Sequence, residues 1–121
     1  MTMYLNIAEE FSPIPMGRNK THSNKNGQAF REEILYPKVC EALKNKETLK
    51  VDFTNMLNLS SAFLEESFGG LVRIHELDRD EVLKTIEFIS EDRLLATSLE
   101  LSRDFIEEAV PGKAPVALRI Y

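Results

Sequence analysis

Two groups of residues in this chain are of types that could do chemistry. The first is Ser60-Ser61, followed by Glu65 and Glu66, inside the stretch LKVDFTNMLNLSSAFLEESFGGLVRI from Leu49 to Ile74. A serine ahead of an apolar helical run suits an N-cap, its hydroxyl accepting a bond from an orphan backbone N–H. Adjacent glutamates point about 100° apart on a helix, so they do not form a carboxylate pair around one substrate. In the early turns their charge complements the helix dipole. The second group is MGRNKTHSNKNG, Met16 to Gly27, which holds Arg18, Lys20, His22 and Lys25 without an acidic residue, with Arg31 just beyond. In a protein of net charge −5 this is an island of positive charge. It precedes a helix beginning near Gln28, whose N–H groups would add to the field. One role for it is an anion site, for a phosphate or an acidic partner. The other is a solvated loop whose basic residues serve solubility.

Catalytic constellations are missing from the sequence. It contains no GxxxxGK[ST] phosphate loop, no GxGxxG after a strand, no HExxH and no GxSxG. Ser61 has no histidine within recognisable reach, which argues against a serine nucleophile with a triad. Cys40 lies on the apolar side of its helix and reads as a buried structural thiol. His75 has no second histidine at ligand spacing, so no metal site and no cofactor are expected. The chain is not expected to be an enzyme.

The elements that must hold these residues follow from periodicity. Leu49, Val51 and Phe53 alternate with Lys50 and Asp52, the pattern of a strand with one face inward. Phe63, Leu64, Phe68, Leu71, Val72 and Ile74 make the following helix apolar over more than half its circumference. Gly69 and Gly70 each cost roughly 1 kcal/mol in a helix interior, a cost expected where a neighbour approaches closely. The spacing predicts that this helix packs tightly against a sheet. Further strands are predicted over Met3–Ile7, over TIEFI at Thr85–Ile89, and over Val116–Tyr121, with a short strand or edge segment after Phe11–Pro15. Phe30, Ile34, Leu35, Val39, Cys40 and Leu43 give a helical face that Pro37 should kink or divide near Glu33–Tyr36. His75–Glu81 reads as a helix extension or a connector. A long helix begins at Ser90, carries Leu95, Leu99, Ser102, Phe105, Ile106 and Ala109 inward, and stops at Pro111-Gly112. This order predicts an α/β sandwich, a mixed sheet of about four to five strands with helices packed over it.

The chain's 121 residues suit a single domain, 1–121, with 43% hydrophobic residues and one cysteine. The acidic balance argues against a nucleic-acid partner. A single cysteine excludes an internal disulfide. No apolar run approaches a bilayer span and no signal peptide is evident, so no membrane partner and a cytoplasmic address are expected.

The segment Val51-Asp52-Phe53, followed by Leu59-Ser60-Ser61-Ala62-Phe63-Leu64-Glu65-Glu66-Ser67-Phe68-Gly69-Gly70-Leu71, resembles the STAS-like domain family of unknown function. So do Gly17-Arg18, Gly27 and Phe30-Arg31 upstream. The resemblance covers about residues 3 to 108. That family is similar in turn to the STAS domains of anti-sigma-factor antagonists, small α/β proteins with a serine at the start of the helix after a central strand. The resemblance implies a non-enzymatic regulatory domain for signalling or transcription control. It implies phosphorylation of Ser61, with Ser60 in the place usually held by an aspartate. The implied partner is a histidine-kinase-like ATPase or an anti-sigma factor, docking around Asn58, Glu65 and Glu66. It also makes Gly17, Arg18, Gly27 and Arg31 part of the family signature, and two arginines can grip a phosphate in bidentate fashion. An anion or nucleotide sensor is thus the alternative, unless Arg18 or Arg31 pairs with Glu65 or Glu66 and fastens the loop to the central helix. A homodimer through the terminal strand is a further possibility.

Overall fold

The structure, a computed structural model, describes residues 1–113 and Pro115. Its sheet has three strands, β1 (Thr2–Asn6), β2 (Thr48–Asp52) and β3 (Ile86–Ile89), in the order β1-β2-β3. Both pairings are parallel, Leu5 opposite Val51 and Val51 opposite Phe88. The sheet expected to be mixed, with four to five strands, is therefore smaller and all parallel among the described residues. β1 and β2 each lead into a helical crossover, which returns the chain in the same direction. The strand expected at Val116–Tyr121 lies outside the described residues, and the chain after Phe11 forms a loop. Alternation sorts the side chains as the sequence suggests. Leu5, Leu49, Val51 and Ile86 are buried under the helices, while Tyr4, Lys50 and Glu87 share the opposite face.

The first crossover holds α1 (Ile7–Glu10), a loop, and a continuous helical rod. The rod comprises α2 (Gly27–Phe30), a π turn (Arg31–Leu35) and α3 (Tyr36–Asn45). The π turn falls where Pro37 was expected to disturb the helix. Tyr36 N–H bonds to Arg31 O, the wider ring of a π turn, just before a proline that has no N–H to give. Lys46 closes α3 in the left-handed conformation.

The second crossover repeats the plan. α4 (Ser61–Leu64) runs through a π turn (Glu65–Gly69) into α5 (Gly70–Arg73), and α6 (Arg79–Thr85) leads into β3. The charged stretch after His75 is thus partly a helix of its own, capped by Asp78, whose Oδ2 accepts from Glu81 N–H at 3.3 Å. A 3₁₀ turn (Arg93–Leu95) capped by Asp92 precedes α7 (Ala96–Glu108), so the last helix starts later than Ser90. Its residues Ser102, Phe105 and Ile106 are buried as expected. Cys40 is half-buried.

The core is organised around Phe68. Its ring meets Phe88 edge-on at 4.9 Å, lies 6.2 Å from Phe53 and 6.3 Å from Phe30, and Phe30 continues to Phe63 at 5.6 Å. These separations fall in the favourable range for tilted and T-shaped aromatic pairs. The rings tie the sheet to both helical rods and hold the two π turns against each other. No helix among the described residues is long and apolar enough to cross a membrane.

Candidate functional site

Arg31 opens the first π turn, and Glu65 and Glu66 open the second. The turns face one another, so the three charged side chains meet inside the protein. Arg31 is only 1% exposed, and its Nη1 donates to Glu66 O at 2.5 Å and to Glu66 Oε2 at 2.7 Å. Glu65, 2% exposed, accepts from Arg73 Nε at 2.7 Å and from Arg73 Nη2 at 2.9 Å, a bidentate pair. Arg18 reaches in from the loop, its Nη1 at 2.5 Å from Glu65 Oε1 and 3.4 Å from Glu66 Oε1. Three guanidinium groups thus face two buried carboxylates, and the half-exposed carboxylate of Glu32 lies 3.7 Å from Arg31 Nη2 at the edge of the network.

Glycines make the space. A Cβ on Gly70 would lie 2.5 Å from Arg31 Nη1 and 3.0 Å from its Cδ. A Cβ on Gly69 would lie 2.5 Å from Glu65 Oε2 and 3.3 Å from Phe105 O of α7. The close neighbours expected at these glycines are therefore two charged side chains and a helix, rather than a sheet. At Gly27 a Cβ would meet Glu66 Cβ at 2.8 Å and Phe63 O at 3.0 Å, so this glycine lets the two rods touch and admits no ligand. Gly17 alone of the signature glycines needs its backbone freedom, with φ at +72°.

The basic loop is tied down at both ends. Gly17 O accepts from Gly27 N–H, Arg18 O from Gln28 N–H, and Asn26 Oδ1 from Ala29 N–H, at 2.9, 2.9 and 2.8 Å. The donors that were expected to strengthen an anion site at this helix start are thus already occupied. Arg31 is closed off as well, and Glu65 is buried rather than part of a partner surface. Glu66 faces inward beside it, and its role and that of Glu65 is to pair arginines rather than to complement a helix dipole. Of the alternatives open for the loop, the structure shows the one in which Arg18 and Arg31 pair with Glu65 and Glu66.

Arg73 and His75 belong to the same network and carry no motif in the sequence. Arg31 Nε donates to His75 Nε2 at 3.2 Å, and the imidazole stacks on Tyr36 at 3.8 Å between ring centroids. An accepting Nε2 requires a neutral ring with its proton on Nδ1. Burial, and then the Arg31 charge, hold the His75 pKa below its ordinary value against a weaker pull from Glu32. The unfolded chain therefore binds more protons below about 6.5. Stability is expected to fall as the pH drops through that value towards the folded pKa. His75→Gln, which can still accept from Arg31, is expected to flatten this part of a urea-midpoint profile measured against pH.

A second polar cluster lies at the carboxyl ends of the strands. Asp52 accepts from Thr54 N–H at 2.9 Å, from Thr54 Oγ1 at 2.6 Å and from Tyr4 OH, while Asn6 Nδ2 donates to Thr54 O. Burial raises the Asp52 pKa, but the bonds from Thr54 and Tyr4 outweigh it and hold the carboxyl below its ordinary value. This cluster fixes the loops that follow β1 and β2.

The two serines do different work. Ser60 is the N-cap of α4, its Oγ accepting from Phe63 N–H at 3.2 Å. Ser61 is exposed, and its hydroxyl makes no hydrogen bond with the described residues. Ser60→Ala is expected to cost about 1 kcal/mol, the usual value of a lost cap. Ser61→Ala is expected to stay within about 0.5 kcal/mol, as for a surface substitution. Urea unfolding of both variants checks the division. Ahead of these serines Pro13 O accepts from Leu57 N–H at 2.7 Å and Asn58 Nδ2 donates to Pro15 O at 3.2 Å. Two loops are thereby joined, and they expose Leu57, Ile14 and Met16 at 78%, 57% and 52%.

The sequence profile of the STAS-like domain of unknown function, DUF4325, matches residues 26–93, more than half of the chain. The chain belongs to that family. The matched span is shorter than the stretch from 3 to 108 over which the resemblance was expected. It takes in Gly27, Arg31, both serines, Glu65, Glu66, Arg73 and His75, and it leaves out β1, Gly17 and Arg18. No curated protein and no solved structure matches the chain.

Proposed function

We propose that this domain is a non-enzymatic regulatory module that docks to a protein partner around Ser61, with docking controlled by phosphorylation of that serine. The observation that carries the reading is the split between the two serines. Ser60 caps the helix, which leaves the Ser61 hydroxyl exposed and uncommitted. A phosphoryl group there would add about −1.5 to −2 charges without breaking a bond that holds the fold. The exposed apolar side chain of Leu57 lies on the loop leading to it, and those of Ile14 and Met16 on the loop bonded to that one, a composition suited to protein contact. In the modification, Ser61 Oγ attacks the γ-phosphorus of ATP held by a kinase. The new O–P bond replaces the bond to ADP, which leaves, and the hydroxyl proton passes to a base on the kinase.

The family's similarity to anti-sigma-factor antagonists points to a histidine-kinase-like ATPase or an anti-sigma factor as partner, within a signalling or transcription-control pathway of the cytoplasm. The test is affinity capture of the tagged protein from its own cells, with intact-mass analysis of the recovered chain. A chain heavier by one phosphoryl group, mapped to Ser61 and recovered with such a partner, is the expected result. A chain of unmodified mass with no such partner would sink the proposal.

A further inference from the structure

From the geometry of the buried network we infer that Arg18 is the residue that reads a phosphate on Ser61, leaving Glu65 to bind it when the serine is modified. This rests on the reading of Ser61 as a modification site. Ser61 and Glu65 are four apart on one helix, and Glu65 N–H bonds to Ser61 O, so they lie on the same side one turn apart. One turn is about 5.4 Å along the axis. A phosphate on Ser61 would therefore stand above a buried carboxylate, a like-charge pair that destabilises a helix unless a cation is shared between them. The guanidinium of Arg18 already touches that carboxylate.

The three arginines of the network differ in their freedom to answer. Arg31 is enclosed, held by Glu66 through its backbone carbonyl and its carboxylate, and by His75 through Nε. Arg73 grips Glu65 with two nitrogens. Arg18 uses Nη1 alone, and its Nε and Nη2 make no hydrogen bond with the described residues. It is the most exposed of the three, at 15% of its side chain. Its backbone is pinned through the bond from Gln28 N–H to Arg18 O, so the side chain can swing while the loop stays in place. Glu65 would lose no essential partner, because Arg73 keeps both carboxylate oxygens occupied. The Arg18 guanidinium is thus the one of the three that can turn toward a dianion on Ser61. A guanidinium fork with two spare donors matches a phosphate's oxygens.

The test uses the full chain carrying phosphoserine at position 61, installed during synthesis, and phosphorus-31 NMR titration of that group. The second pKa of a phosphoserine is ordinarily about 6. A guanidinium beside it is expected to lower this value by about 1 unit. At least half of that shift should vanish in Arg18→Gln. Equal titrations in the two chains would overturn the assignment. Should Arg18→Gln fail to fold, the side-chain Nε–H resonance of Arg18 in the otherwise unaltered chain decides. It must move on phosphorylation while that of Arg73 does not, and an unmoved Arg18 resonance overturns the assignment equally. Because the phosphate is installed synthetically, this outcome is separate from whether cells modify Ser61, which the intact mass reports.

Discussion

Glu65→Gln is expected to lower the stability of this protein by about 3–5 kcal/mol, the cost of removing one partner from a buried ion pair. The carboxylate is 2% exposed and serves Arg73 and Arg18 together. Without it, the two guanidinium groups have Glu66 as their remaining nearby anion among the described residues, and Arg31 already engages it. Glutamine preserves shape and one acceptor, so the loss isolates charge. Urea unfolding with the slope held constant would show the change as a lower midpoint. A loss under about 1 kcal/mol, the size of a surface pair, would show that water already shields these charges. Replacing Arg31 and Glu66 together by apolar residues of similar volume is the informative companion, since buried pairs exchanged whole are often neutral or stabilising.

Gly70→Ala carries the second largest expected effect, and its sign runs against helix propensity. Propensity alone predicts a gain of roughly 1 kcal/mol on replacing glycine by alanine inside a helix. The added methyl would sit 2.5 Å from Arg31 Nη1 and 3.0 Å from Cδ. A long side chain usually yields to such a contact. Arg31 has nowhere to go, being enclosed and bonded to Glu66 and His75. Overpacking of this kind costs about 1–3 kcal/mol, so a net loss is expected in thermal or urea unfolding. A more stable variant would mean that the arginine can be expelled cheaply, and the two π turns would then not depend on it.

Much of this fold is legible in the sequence, and the parts that are not fail for identifiable reasons. The strands around Leu5, Val51 and Phe88 follow from alternation, and the disturbance ahead of Pro37 follows from a ring without an N–H. Among the described residues the sheet has fewer strands than expected, because the segment after Phe11, with Pro13 and Pro15 lacking an N–H to pair, forms a loop instead of an edge strand. The helix over Arg79–Thr85 carries a start signal, Asp78 with Glu81 three positions later, which its high charge obscures. At the site, the pairing of Arg18 and Arg31 with the two glutamates is one of the options that charge alone leaves open. Arg73 is harder to find. In a regular α-helix a residue eight positions on points about 80° away from Glu65. The π turn between them takes up nearly one extra residue, which returns Arg73 to the same side. A change of helical pitch that no local pattern announces thus decides which charges meet. His75 is hidden likewise, since its partner Arg31 lies on the other rod.

The parallel sheet also has a consequence for the order in which the molecule can assemble. Thr2 has no strand partner until Thr48 arrives, and β2, paired with β1, lacks its second neighbour until Ile86. During synthesis at about 5–20 residues per second, the apolar side chains of Leu5 and Ile7 therefore wait some seconds before a neighbouring strand covers them. Pairings between segments so distant in the chain are paid for in loop closure before any contact rewards them, which places this protein among slow folders for its size. The helical rods, whose contacts are local, are the parts able to form while the first strand is still alone.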